Sequence, residues 1–158
     1  MFEQFVNMHH VGTPITLSAG DSPCYIGNGQ IVYTNIKDSN KLYLKSILTL
    51  DDGVPITTVA GASPCYVGDG QIVYSNVKDV NKLYIKSSFT IDDGNPITTV
   101  ASANPCYIEN NQIIYMHVNG KLHIKSTTEN SIGTAITSSH GNYPCYIENN
   151  QIVYANTT

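Results

Sequence analysis

The chain is a succession of short runs rich in β-branched and aromatic residues, separated by clusters of Gly, Asn, Asp and Lys. Such runs bounded by turn residues read as β-strands. No window of ten or more residues repeats its apolar positions at the 3.6-residue helical period, so no helix is expected. One stretch shows the full sequence of signals. Residues 64–67, Pro-Cys-Tyr-Val, form a strand A that ends in the turn Gly68-Asp69-Gly70; residues 71–77 form strand B, followed by the polar turn 78–81; residues 82–87 form strand C, closed by Asp92-Asp93-Gly94. Residues 96–100 form strand D, whose Pro96 suits an edge position because proline cannot donate to a ladder.

This pattern recurs. Cys24, Cys65, Cys106 and Cys145 each stand in Pro-Cys-Tyr-(Ile/Val), at spacings of 41, 41 and 39 residues, and self-similarity at such a period marks a repeat architecture. The third copy is shortened between strands B and C to His117-Val118-Asn119-Gly120-Lys121, and Asn-Gly between two strand runs predicts a hairpin with a type I′ turn. Four antiparallel strands per copy describe a propeller blade.

The two ends of the chain complement each other. Thr158 falls opposite Asn119 and Lys37, and Met1 opposite Leu42, so the chain begins and ends at the same B–C turn. The last copy has strands A and B only; residues 2–8 and Thr13-Pro14-Ile15-Thr16 are the candidates for its C and D. The expectation is an all-β fold, a small β-propeller of four four-stranded blades in one domain spanning 1–158. Its blades are residues 22–60, 63–101, 104–139, and 143–158 with 1–18, the last closed by N- and C-terminal strands. The alternative is an eight-bladed ring from two chains, closed by a partner's terminus, so the chain is expected as a monomer or a homodimer. A β-trefoil needs three units, and an open solenoid has no reason for complementary termini.

The strand pair Gln71-Ile72-Val73-Tyr74-Ser75-Asn76 and Asn81-Lys82-Leu83-Tyr84-Ile85-Lys86 resembles bacterial propeller-type repeats of unknown function, which read Ile-Tyr-Tyr-Ser-Asn and then Lys-Leu-Tyr-Lys-Ile. The chain departs from them at Val73 and its equivalents and in the Pro-Cys-Tyr tetrad. The resemblance implies a fold and brings no agreed activity.

Composition removes several functions. Charged residues make up 13% of the 158, and the net charge is −4, so no basic stripe is present to neutralise phosphates and nucleic acid is not an expected partner. No apolar run approaches the roughly 18 residues of a membrane span, and the first residues lack a basic region followed by an apolar one. No nucleophile elbow, phosphate loop or HExxH motif occurs, so an enzyme is not expected.

The four cysteines are read as strand-packing residues rather than as a soft-metal site or inter-blade disulfides, because none belongs to a C-x-x-C pair. Unpaired thiols suit a reducing, cytoplasmic compartment better than an oxidising one. His9, His10, His117, His123 and His140 share no repeat position and define no ring of sites. Asp51-Asp52 and Asp92-Asp93 precede glycine in C–D turns, where Asp bonds local backbone. Lys45, Lys86 and Lys125 occupy one position of strand C and are expected to carry their ammonium groups out to solvent.

The ligand-binding candidates cluster at the A–B turns. Gln30, Gln71, Gln112 and Gln151 begin strand B, next to Asn28, Asp69, Asn110 and Asn149. Tyr25, Tyr66, Tyr107 and Tyr146, or else Tyr33, Tyr74, Tyr115 and Tyr154, could offer a stacking face. The function expected is a non-enzymatic, multivalent, lectin-like module for glycans with no cofactor and no metal; the alternative is a structural or protein-interaction propeller.

Overall fold

A computed structural model describes residues 14–149 and 151–157, and every regular element among them is a strand. Strands β1 (Gly20–Gly27), β2 (Gln30–Asn35) and β3 (Lys41–Ser46) are followed by the long β4 (Val54–Gly68). The first half of β4 pairs with β3, and its second half pairs with β5 (Gln71–Asn76). Next come β6 (Lys82–Ser87), β7 (Asn95–Pro96), β8 (Ser102–Tyr107), β9 (Gln112–His117), β10 (Leu122–Ser126) and β11 (Thr134–Ala135). The last pair is β12 (Gly141–Tyr146) and β13 (Ile152–Asn156). All pairings are antiparallel, giving three four-stranded meanders in order A-B-C-D and a final A–B hairpin. The expected strand C at residues 2–8 lies outside the described residues, as does Thr13 of the expected strand D; residues 14–19 form no strand.

Turn chemistry sets the A–B hairpins. Asn28 and Gly29 have φ of 50° and 68°, and Asp69 and Gly70 have 49° and 69°, the two positive values that a type I′ turn requires. The B–C connection of the third meander differs from the expected type I′. Gly120 is positive at 79° but Asn119 is not, and Gly120 N–H donates to His117 O at 2.8 Å. This is a three-residue connection with the glycine in the left-handed region, the other common hairpin solution.

Strand D is shorter than expected in the second and third meanders, where it is Asn95–Pro96 and Thr134–Ala135. Thr57, Thr98 and Thr137 each accept the strand-C N–H of Leu42, Leu83 or Leu122 through the hydroxyl, at 2.9, 2.9 and 3.0 Å. A side chain takes the place of a ladder carbonyl and interrupts the pairing, which resumes at Lys41 and Ala60 in the first meander but not in the other two. Strand A begins with a bulge: Ser22, Ser63, Asn104 and Tyr143, each just before proline, all have φ of 49–50°.

The core lies between successive meanders. Ile26, Val32, Leu42 and Ile56 of the first pack on Ile72 and Tyr74 of the second. Val67, Val73, Leu83 and Ile97 of the second pack on Ile113 and Tyr115 of the third. Tyr33, Tyr74 and Tyr115 are fully buried, and their hydroxyls donate to the carbonyls of Asp52, Asp93 and Ile132.

The repeated lysines are buried, contrary to the expectation that they reach solvent. Lys45, Lys86 and Lys125 are 3, 4 and 5% exposed, not solvated. Lys45 Nζ donates to Ser46 O and Thr49 O at 2.7 Å each, and Lys86 and Lys125 hold the same two carbonyls of their own C–D loops. Each loop wraps its ammonium, so backbone carbonyls replace water. Gly53 closes the wrap with φ of 70°, where a Cβ would meet Leu44 O at 2.2 Å.

Candidate functional site

Each interface between meanders repeats one set of bonds. The Cys24 thiol accepts the N–H of Tyr66, Cys65 that of Tyr107 and Cys106 that of Tyr146, all at 3.2 Å. Burial raises the thiol pKa of Cys24 and Cys106 and pushes that of Cys65 up to about 12, so these sulfurs act as neutral packing and hydrogen-bonding groups. The second Asp of each pair reaches past its own turn. Asp93 accepts from Thr58 N–H, Thr58 Oγ1 and Val59 N–H of the preceding meander, at 2.9, 2.6 and 3.3 Å. Asp51 and Asp92 stay local, accepting the N–H of Gly53 and Gly94.

The interface between the third meander and the β12–β13 hairpin is looser. Ile136 is 41% exposed, whereas Ile56 and Ile97 at the same position are 2% and 4% exposed. The contact opens into a groove of about 380 Å³ whose apolar floor includes Ile114, Ile124 and Ile152. Four polar side chains rim it: Glu109 and Asn110 from the β8–β9 turn, Gln112 from the start of β9, and Tyr146 from β12. Tyr146 Oη donates to Glu109 Oε1 at 3.3 Å.

Three of the twelve residues expected to bind ligand, Asn110, Gln112 and Tyr146, therefore meet here. Asn28, Asp69, Asn110 and Asn149 all carry left-handed turn backbone, with φ of 49–51°. Tyr25 and Tyr66 fold over their own turns, each accepting through Oη the N–H of Gly29 or Gly70. Tyr66 and Tyr107 pack against the two core clusters. Gln30 and Gln71 begin β2 and β5 and Gln151 immediately precedes β13; none of the three lines this groove. The alternative tyrosine set offers no stacking face in three of its members, because Tyr33, Tyr74 and Tyr115 are buried. Glu109 belongs to the site without a constant repeat position to mark it. The signal for it was the replacement of Gly27 and Gly68 by Glu109 and Glu148 in the last two copies.

A second departure from the repeat is a pair of stacked imidazoles. His117 and His123 stand where the first two meanders have Asn35 and Tyr43 or Asn76 and Tyr84, with ring centroids 4.3 Å apart. His117 Nδ1 accepts Asn119 N–H, and His123 Nδ1 faces the carbonyl of Ile132 and so carries a proton. Both Nε2 atoms are buried without a hydrogen-bond partner. Burial and the neighbouring His117 lower the His123 pKa. Among the described residues no group of three or more His, Cys, Asp or Glu side chains is placed to hold a metal, and no helix is long and apolar enough to cross a membrane.

These features define an all-β protein of successive antiparallel meanders with a rimmed groove at one interface. The chain is similar to the crystal structure of the computationally designed Ika4 protein, with a TM-score of 0.51 and 12% sequence identity over 92% of each chain. At that identity the likeness concerns the fold alone. No family model and no curated protein matches the chain.

Proposed function

We propose that the three meanders and the final β12–β13 hairpin belong to the four blades of a β-propeller and that the chain is a non-enzymatic binding module for saccharides. The propeller reading is supported by the four strand-A bulges, where Ser22, Ser63, Asn104 and Tyr143 all border one opening of about 480 Å³, as innermost strands around an axis would. The saccharide reading rests on one observation: a carboxylate, two amides and a tyrosine converge on a groove with an apolar floor. Sugars present hydroxyls at their edges and C–H groups on their faces, and such a groove meets both with polar groups at the rim and apolar surface beneath. A glycan array followed by calorimetry tests this. Binding that is lost in Glu109→Ala and Tyr146→Ala, with the fold retained, supports it; no saccharide bound at millimolar concentration overturns it.

A second reading, protein interaction, is favoured by the tips of the C–D loops. Leu48, Leu50, Phe89 and Ile91 are 60–86% exposed on two neighbouring loops, while the third loop carries Thr128 and Asn130 instead. Clustered exposed apolar side chains mark contact surfaces. A specific protein captured by the wild type and lost when these four become Ser, with saccharide binding untouched, would establish it.

A further inference from the structure

We propose that two copies of this chain close on each other head to tail into one ring of eight units. The proposal rests on reading the meanders as blades and is independent of the saccharide reading.

The internal interfaces specify what an end must find. Each joins a thiol on the back of one unit to a tyrosine N–H on the front of the next. Among the described residues, the halves of that bond that find no counterpart are the N–H of Tyr25 in front and the thiol of Cys145 at the back. The apolar surfaces follow. Tyr25 is 60% exposed, and Ile147 and Val153 are 56% and 57% exposed, where Ile26 and Val67 are at 6% and Val32 and Val73 at 0%. Strand β1 packs on β4, β4 on β8 and β8 on β12, but β1 and β12 do not touch.

The pieces of the fourth unit are divided between these ends. Leu17 N–H and Ser18 N–H donate to Asp52 Oδ1 at 2.9 and 2.7 Å, as Thr58 and Val59 do to Asp93, so Leu17 and Ser18, though not in a strand, take in front of the first unit the place that Thr58 and Val59 take in front of the second. Its A and B strands, β12 and β13, sit behind the third. A heterologous interface that is repeated three times within a chain is matched at both ends by another copy of the chain, and a partner engaging both ends closes the ring. Each N-terminal segment then completes the other chain's fourth unit.

Light scattering on the full chain is expected to give twice the 17.2 kDa of one copy. Val153→Asp is expected to give single copies with their β-sheet circular dichroism intact, while Val80→Asp, equally exposed but on a B–C turn, stays paired. Tyr25→Glu repeats the test from the other end should Val153→Asp fail to fold. A wild type that runs as single copies or as open polymers, or a Val153→Asp and a Tyr25→Glu that both stay paired, overturns the proposal.

Discussion

The sulfur of Cys24 accepts a hydrogen bond from the backbone N–H of Tyr66, 42 residues later in the chain and in the next meander, at 3.2 Å. Cys65 and Cys106 do the same for Tyr107 and Tyr146. Each of these thiols also faces the carbonyl of the residue that follows it, Tyr25, Tyr66 or Tyr107, at 3.8, 3.7 and 3.6 Å. The cysteine is thus both donor and acceptor at the place where one sheet meets the next.

Cys65→Ala leaves the Tyr107 N–H without a partner inside an interface, and an unsatisfied buried donor costs about 2 kcal/mol. Cys65→Ser keeps an acceptor there and loses less. Urea denaturation of the two variants checks the order. Alkylation followed by mass spectrometry gives an independent reading: Cys65, whose pKa is pushed up to about 12 by burial, labels last, and Cys145, exposed in the single copy, labels first in Val153→Asp.

Asp93→Ala removes three hydrogen bonds to a carboxylate that ties the second meander to the first. The expected loss is about 2 kcal/mol, from the range for bonds to charged groups. Asp93→Asn retains one acceptor oxygen and lies between wild type and Ala. Chemical denaturation monitored by tyrosine fluorescence measures both.

Val80 has φ of 52° and is 67% exposed. A β-branched residue in the left-handed region is strained and contributes no core packing to offset it. Val80→Asn or Val80→Gly relieves roughly 1 kcal/mol, so the midpoint of thermal unfolding rises. A fall in that midpoint would show that Val80 packs against something its exposure does not reveal.

His123 titrates below its ordinary value in the folded protein, chiefly from burial and then from the adjacent His117, with Lys121 adding to the shift and the Ile132 carbonyl opposing it. The unfolded imidazole, at about 6.5, takes up its proton first as pH falls. The folded state therefore loses stability as pH drops below that value. His123→Phe keeps the ring and removes the titration, so the difference between urea midpoints at about pH 7.5 and about pH 5.5 shrinks relative to wild type.

Strands B and C and the A–B turns were legible because short-range chemistry decides them: Asn28-Gly29 and Asp69-Gly70 allow little but a tight hairpin. The buried lysines were not, since a lysine in a half-polar strand is ordinarily solvated. What buries Lys45 is the fold-back of its own 46–51 loop, which no periodicity records. The same limit hid the reach of Asp93 to Thr58, which depends on how two meanders stack. Asn110, Gln112 and Tyr146 were read as site residues from their repeat positions. That they meet with Glu109 at one interface only follows from the outward turn of Ile136, a tertiary property.

Strand β4 runs 15 residues without a break from one meander into the next, whereas β7 ends at Pro96 and β8 starts only at Ser102. The first two meanders consequently share one strand, bulged at Ser63 where it passes from one sheet into the next. A disturbance that loosens one is transmitted along the shared strand to the other, so under heat or mechanical load the first two meanders give way as a couple, while the third and the β12–β13 hairpin can open on their own.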